Sequence, residues 1–362
     1  MAAGGVKHKP VYRQIYSELS SELETGIYNG TGMLPSEKEL CARFGVERNT
    51  IRKSLQLLVN EKRIVRRPGL GTELVRPAEE GDTERSGNLV LLITQVDYLN
   101  AGKGESFHHK LIHSLGQCLG ELGCNMLFKP IYKSEDFSEL IRGISPKGII
   151  FDSYNQNDYY SKIVRSGLPS ISFNRYTPLM TSVVSDNFGG AYEVVKRLFD
   201  AGHRRIAFIL GKKSYYSCEE RLRGVRQLYA EQGMKFNEAH VFDGDWLFGS
   251  GLEAASRILG MEKAERPTAV FAFNDDMAYG CYSALVQGGL LVPEDISIVG
   301  FDNTERYAGV FPRISTVDVN LSAMIDYASW YFTETLAGRA PGTAVRIEIR
   351  TTFCDMGTIK IL

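Results

Sequence analysis

The chain has 362 residues, more than one ordinary core, so two or three domains are expected. Hydrophobic residues make up 43% and charged residues 23%, which excludes a wholly disordered chain. No apolar run approaches the roughly 18 residues that a membrane span needs. The 42 Lys and Arg against 43 Asp and Glu leave a formal charge of −1, which for the whole chain argues against a partner bound by phosphate neutralisation. The charges are unevenly placed, however: residues 1–76 carry 13 basic and 8 acidic side chains and residues 77–362 carry 29 and 35, so +5 stands against −6. The opening MAAGGVKHKP lacks the apolar stretch of a secretory signal, and a cytoplasmic protein is expected. Cys41, Cys118, Cys124, Cys218, Cys281 and Cys354 show no C-x-x-C spacing and are read as reduced thiols, neither a disulfide framework nor a zinc ribbon.

In chain order, helical apolar spacing covers Tyr12 to Thr25, Ser36 to Phe44 and Arg48 to Lys62, the last with Ile51, Leu55, Leu58 and Val59 on one stripe. A short Ile64, Val65 strand, a Pro68-Gly69-Leu70-Gly71 turn and Leu74, Val75 complete three helices and a hairpin. Pro77 to Gly87 (PAEEGDTERSG) is acidic, rich in breakers and too polar for a core; it is read as a linker. Boundaries of 1–76, 77–87 and 88–362 follow. Beyond the linker, buried strands are predicted at Leu89 to Thr94, Gly148 to Phe151, Ser170 to Phe173, Arg205 to Leu210, Ala269 to Phe273 and Ile296 to Phe301. Helices alternate with them at Phe107 to Leu122, Phe188 to Ala201, Glu219 to Gln232, Phe248 to Gly260, Asp275 to Gln287 and Leu321 to Ala337. That alternation implies parallel sheets covered by helices on both faces, and about 275 residues is long enough for two lobes.

The first module has the parts of a winged helix-turn-helix: a positioning helix, a recognition helix with polar and basic side chains in its first turns, and a glycine-bearing hairpin. Ser36 can cap the positioning helix with Glu39 as its reciprocal partner. Arg48, Asn49, Thr50 and Arg52 open the recognition helix, where arginine can pair with guanine and asparagine with adenine. The runs Leu34-Pro35-Ser36-Glu37-x-Glu39-Leu40, Phe44-Gly45-Val46-x-Arg48-x-Thr50-x-Arg52 and Arg67-x-Gly69-x-Gly71-Thr72, with Gly26, resemble the winged-helix domain of the GntR family of bacterial transcription regulators. The resemblance implies DNA contacts at Lys38, Arg48, Asn49, Thr50, Arg52 and Gly69, and Ser36 and Arg67 complete the expected DNA-facing set. Glu47 departs from it, since the family usually has Ser or Thr there. A carboxylate at this position removes a cap and either repels phosphate or accepts from cytosine N4. A phosphate-loop reading of Gly69-Leu70-Gly71-Thr72 fails, because no Lys-Ser/Thr and no helix follow.

Two-lobed α/β domains bind small ligands at the carboxyl ends of their strands. Asp152 follows one predicted strand, Asn174 and Arg175 another, Asn274 and Asp275 a third and Asp302 a fourth; Arg221 lies near the start of a helix. The runs Asp200-Ala201-Gly202-His203-Arg204-Arg205-Ile206-Ala207, Arg221-Leu222-Arg223-Gly224, Gly244-Asp245-Trp246, Ala272 to Ala278 and Val292 to Asp302 resemble the effector domain of the LacI/GalR repressors, itself similar to periplasmic sugar-binding proteins. The resemblance implies effector contacts at Arg221, Trp246, Asn274 and Asp302, with Asp152 and Asn174 from the first lobe; Arg175 joins them by its place after a strand. Carboxylate, amide and guanidinium suit paired hydroxyls, and Trp246 suits the C–H face of a pyranose, although purines stack as well. Phe107 and His108 could face the cleft. His109 and His113 stand at i, i+4 without a third ligand nearby and are read as surface histidines.

The expected protein is a homodimeric transcription regulator, a repressor, binding a double-stranded operator under the control of a small effector, a mono- or disaccharide, without cofactor or metal. A GntR-type head on a LacI-type domain resembles the arabinose-responsive repressors, which favours a pentose or related sugar. Alternatives are a regulator dependent on a purine-type corepressor and a sugar-metabolising enzyme with Asp275 or Asp302 as base; a transport-type binding protein would require export. No nucleophile elbow, paired acid and base or metal set supports the enzyme.

Overall fold

The computed structural model describes residues 10–24, 27–28, 33–61, 63–67, 71–74, 88–95, 107–131, 137–153, 157–340 and 342–362. The chain divides into two compact units, residues 1–86 and 87–362. In the first, α1 (Val11–Glu24), β1 (Met33–Leu34), α2 (Glu37–Phe44), α3 (Arg48–Asn60), β2 (Ile64–Arg67) and β3 (Gly71–Leu74) follow in order. The strands form an antiparallel sheet in the order β1-β3-β2. Strand β1 is absent from the sequence-based expectation, since two residues give no readable alternation; pairing of Leu34 with Thr72 holds it. The core is small and mostly apolar, with Leu19, Leu40, Ile51, Leu55 and Leu58 fully buried.

Local chemistry sets the helix ends. Ser36 and Glu39 make the expected reciprocal cap on α2, and Gly45, at φ 64°, ends that helix in the left-handed region that glycine tolerates. Glu47 precedes α3 without any side-chain cap, in keeping with a carboxylate in place of a hydroxyl. Ser54, buried within α3, donates its hydroxyl to the Tyr12 carbonyl at 2.8 Å and so ties the recognition helix to α1.

The second unit is two-lobed. Its first sheet contains β4 (Leu89–Gln95), β5 (Asn125–Ile131), β6 (Gly148–Asp152), β7 (Ser170–Phe173), β8 (Ser182–Ser185) and, from far along the chain, β14 (Arg346–Ile349). They are parallel in the order β14-β8-β7-β6-β4-β5. The helices of this lobe are α4 (Phe107–Glu121), α5 (Phe137–Leu140), α6 (Asn157–Ser166) and α11 (Leu321–Leu336), the last packed on β7, β8, β14 and α4. The second sheet has β9 (Ile206–Ile209), β10 (Val241–Phe242), β11 (Ala269–Ala272) and β12 (Ser297–Val299), parallel in the order β10-β9-β11-β12. Helices α7 (Asn187–Asp200), α8 (Tyr216–Glu231), α9 (Phe248–Leu259) and α10 (Asp275–Gln287) accompany it.

Between the lobes the chain crosses after β8, after β13 (Thr316–Asp318) and after β14, and β13 pairs antiparallel with β15 (Thr352–Cys354) beside the crossings. Both sheets are buried on two faces, as β6, β8, β9 and β11 show by having every residue buried. The carboxyl ends of β6 and β7 in one lobe, and of β9, β11 and β12 in the other, therefore carry the polar residues singled out from sequence.

Candidate nucleic-acid interface and ligand cleft

On the first unit, Ser36 and Lys38 of the positioning segment and Arg48, Asn49, Arg52 and Lys53 of α3 are exposed, while Thr50 is half-buried. The backbone of Arg67 lies in β2; its side chain and all of Gly69 lie outside the described residues. The exposed arginines are not independent. Glu37, whose side chain is only 11% exposed, accepts from Arg48 Nε, from Arg52 Nε at 3.2 Å and from Arg66 of β2. Burial alone would raise the Glu37 pKa, but the hydrogen bonds from Arg48 and Arg52 and the charge of Arg66 outweigh it and hold the carboxyl below its ordinary range. One carboxylate thus fixes two side chains of the recognition helix and one of the wing on a common face. Sequence reasoning missed both Glu37 and Arg66. The available signal was an acid directly after a cap in an otherwise basic module.

In the first lobe, Asp152 is buried at the end of β6 and accepts from Thr94 Oγ1 at 3.0 Å and Ser153 Oγ at 2.8 Å. Asn174 Nδ2 donates to Ser153 Oγ at 2.9 Å, so the ends of β6 and β7 share one polar network. Ser153 and Asn174 both have positive φ, 52° and 55°, strain of the kind that collects at binding sites. Arg175 places its guanidinium over the Tyr160 ring, 5.9 Å from its centroid. The side chains of Phe107, His108 and His109 lie outside the described residues.

In the second lobe Arg221 is the centre. It is buried, and its Nε donates to Asn187 Oδ1 at 2.8 Å, its Nη2 to Asp302 Oδ1 at 3.1 Å, and its Nη1 to the Phe273 carbonyl. The guanidinium lies 3.7 Å from the Phe301 ring centroid and 5.7 Å from that of Trp246. Burial pulls the Arg221 pKa down, and the Asp302 carboxylate opposes that shift. Asp302 takes φ 109° and keeps a side chain 19% exposed, bordering a groove of ≈ 420 Å³ that Lys110, Gln117 and Asp318 also line. Next to it Asp275 is buried, accepting from Thr316 Oγ1 at 2.6 Å and the Thr304 amide at 2.7 Å; burial and then the Asp302 charge push its pKa well up.

Trp246 has φ 75°, meets Tyr215 edge-on at 6.4 Å, and buries its indole Nε1 without a hydrogen-bond partner among the described residues. Its ring fills the space that a side chain on Gly211 would need. Asn274 spends its amide on structure: Oδ1 accepts from the Met277 amide at 3.0 Å to cap α10, and Nδ2 donates to the Trp246 carbonyl at 2.9 Å. The structure therefore gathers Arg221, Trp246, Asn274 and Asp302 into one cluster, gathers Asp152 and Asn174 into another, and adds Asn187, Phe301 and Gly211, which sequence reasoning missed. Asn187 reads locally as the first residue of a helix, and only the contact with Arg221 reveals its part.

Comparison with known proteins agrees with this division. Residues 11–74 match the model of bacterial regulatory proteins of the gntR family, and residues 195–354 match that of the periplasmic binding protein-like domain. The HTH-type transcriptional repressor PurR of Aliivibrio fischeri is 38% identical over 141 residues, 39% of this chain and 42% of that protein. Catabolite control protein A of Priestia megaterium is 31% identical over 212 residues, 56% of this chain and 63% of that protein. The match thus spans less than two thirds of either relative. Among solved structures, a transcriptional regulator CelR–cellobiose complex superposes with a TM-score of 0.68 at 23% identity over 90% of this chain and all of the other. A LacI family regulator from Enterococcus faecium with bound ribose gives 0.66 at 19% identity over 75% of this chain and 99% of the other. Each family match covers less than half of this chain, and the solved structures share its fold. This chain joins a region that matches the gntR model, residues 11–74, to one that matches the periplasmic binding protein-like domain, residues 195–354.

Two outcomes follow from the geometry. If Arg48 and Arg52 pair with bases as expected from sequence, Glu37→Gln, which weakens their anchor by removing its charge, should make selection from a random duplex library return a consensus with lower information at those bases, at a cost of about 1–3 kcal/mol of discrimination for each pairing lost. Affinity for bulk DNA should not fall, because a negative charge is removed. Gly211→Ala should displace the Trp246 ring; in a Trp330→Phe background, which leaves a single tryptophan, the emission should move to longer wavelength relative to the same background with Gly211.

Proposed function

We propose that this chain is a homodimeric transcriptional repressor whose two winged helices read half-sites of a pseudo-palindromic operator, and whose two-lobed domain binds a sugar that controls operator affinity. The observation that carries the reading is the pairing of buried Arg221, on α8, with the partly exposed Asp302 beyond β12, beside an indole N–H with no partner among the described residues. Charge-assisted donors and acceptors next to an aromatic face match the paired hydroxyls and C–H face of a saccharide. Cellobiose and ribose, the ligands of two fold neighbours, agree with that chemistry. Asp152 and Asn174 supply the opposite wall from the first lobe, and Arg221, Trp246 and Asp302 bind from the second. Asn274 contributes by holding Trp246 in place.

On the DNA side, Lys38, Arg48, Asn49, Thr50 and Arg52, with Ser36, Arg67 and Gly69, form the contact surface. Arg48 and Arg52, from the Glu37 anchor, and Asn49 read bases, and the remainder position the domain on the backbone. Effector binding closes the lobes and changes the spacing of the two heads, an effect limited to the difference in effector affinity between the two states.

The test is fluorescence anisotropy of a duplex obtained by selection, titrated with the full chain alone and then with mono- and disaccharides, pentoses included, and purine bases. The reading predicts tight, salt-sensitive binding to the selected duplex and its weakening by one class of sugar. A purine that strengthens binding would replace the sugar with a corepressor, and no preference for the selected duplex would remove the DNA-reading role.

A further inference from the structure

A cluster outside both sites joins the two lobes of the second unit. Tyr176 lies in the turn after β7 and Arg346 opens the edge strand β14, both in the first lobe, while Tyr216 opens α8 in the second. The Arg346 guanidinium stands 5.3 Å from the Tyr176 ring centroid and 6.0 Å from that of Tyr216, and the two rings are 6.4 Å apart at 49°. One cation therefore contacts an aromatic ring from each lobe. Glu348, on the same strand, accepts a hydrogen bond from Arg346 and holds the guanidinium at this height. Glu220, one turn along α8, is buried and paired with Arg223, so acidic charge also stands on the second-lobe side. The Tyr216 hydroxyl is buried with no hydrogen-bond partner among the described residues, which leaves its ring contacts as the visible reason for its position.

We propose that Tyr176, Arg346 and Tyr216 form an interlobe latch that sets how readily the second unit closes. The lobes are linked covalently by the crossings after β8, β13 and β14, and rotation about those segments separates Tyr216 from Arg346 and Tyr176. The latch residues share their segments with the proposed effector contacts. Tyr176 follows Asn174 and Arg175 in one turn, and Tyr216 precedes Arg221 on the same helix. A ligand that draws Asn174 and Arg221 together also tightens the latch, and a latch already closed lowers the free energy the ligand must supply. This consequence for effector affinity rests on the proposed function; the latch itself does not. A cation–aromatic contact at a partly exposed site is worth a factor of about 2–5 in an equilibrium, and because the Arg346–Tyr216 contact is the one that spans the lobes, its loss should move the closed-to-open ratio by about 2–5-fold.

The test uses the ligand-free full chain and measures lobe separation directly. Spin labels go on Lys162→Cys in the first lobe and Ser214→Cys in the second, both exposed positions, in a background with the partly accessible Cys41, Cys118 and Cys354 changed to Ser. Double electron–electron resonance should show a longer-distance population grow in Arg346→Met, by about 2–5-fold relative to the short one. Arg346→Lys, which keeps a cation, should fall between Arg346→Met and the parent. Tyr176→Leu, at a position 39% exposed where folding tolerates change, should repeat the shift and carries the test if Arg346→Met fails to fold. Distance distributions in Tyr176→Leu and in any folded Arg346 variant that superpose on the parent would overturn the latch. Because neither ligand nor DNA is present, that result would leave the sugar-binding reading untouched.

Discussion

A guanidinium cannot be buried without nearly complete compensation, because desolvating an ion costs several kcal/mol even after relaxation. Arg221 meets that demand with partners drawn from separate parts of the second lobe: Asn187 at the start of α7, the Phe273 carbonyl beyond β11, and Asp302 and the Phe301 ring beyond β12. The charge on α8 thereby fixes the ends of three other segments relative to one another. Several local features follow. Asp302 accepts a positive φ to reach Arg221, and Gly300 must lack a side chain because a Cβ there would collide with Asp275 Oδ1. Asp275, squeezed beside Asp302, is pushed toward its neutral form. A group raised in this way adds most to stability below its unfolded pKa, and its contribution fades as pH climbs through the folded value.

The same compensation makes the cluster suited to a ligand. Asp302 is only partly covered and the Trp246 N–H has no partner among the described residues, so a carboxylate and a donor stand at the strand ends while Arg221 beneath them is satisfied. A site of this kind changes little on binding within the lobe. On the proposed reading, the response to an effector comes mainly from movement between lobes, where the Arg346 contact and the crossings lie.

Much of this architecture is legible in the sequence, for identifiable reasons. The winged helix announces itself because its parts are local: the Ser36–Glu39 cap, Gly45 and the α3 stripe lie within 25 residues of chain. Strand-end reasoning singles out Asn274 and Asp302 because the strands before them, β11 and the run into Phe301, are apolar apart from Ser297 and Gly300. What escapes it depends on distant partners. Strand β14 pairs with β8 across more than 160 residues and reads as an alternating charged edge, RIEI, and β5 is interrupted by Lys129 and Pro130. Asn187 looks like ordinary helix-start chemistry until Arg221, 34 positions later, is seen to depend on it. Glu37 looks like a first-turn acid favoured by the helix dipole, and its hold on three arginines needs α2, α3 and β2 assembled. The near-neutral total charge is the least informative quantity of all, since it averages a basic reading head with an acidic remainder.

The buried Arg221 cluster is proposed as the place where an effector binds, separate from the DNA-reading face. Calorimetric titration of the full chain and of Asp302→Asn, which keeps an acceptor for Arg221, using whichever sugar most raises the parent's melting temperature, tests it most directly. The expected result is a variant that folds, binds the selected duplex with unchanged affinity, and gives no binding heat with that sugar. A variant that retained the parent's sugar affinity would contradict it.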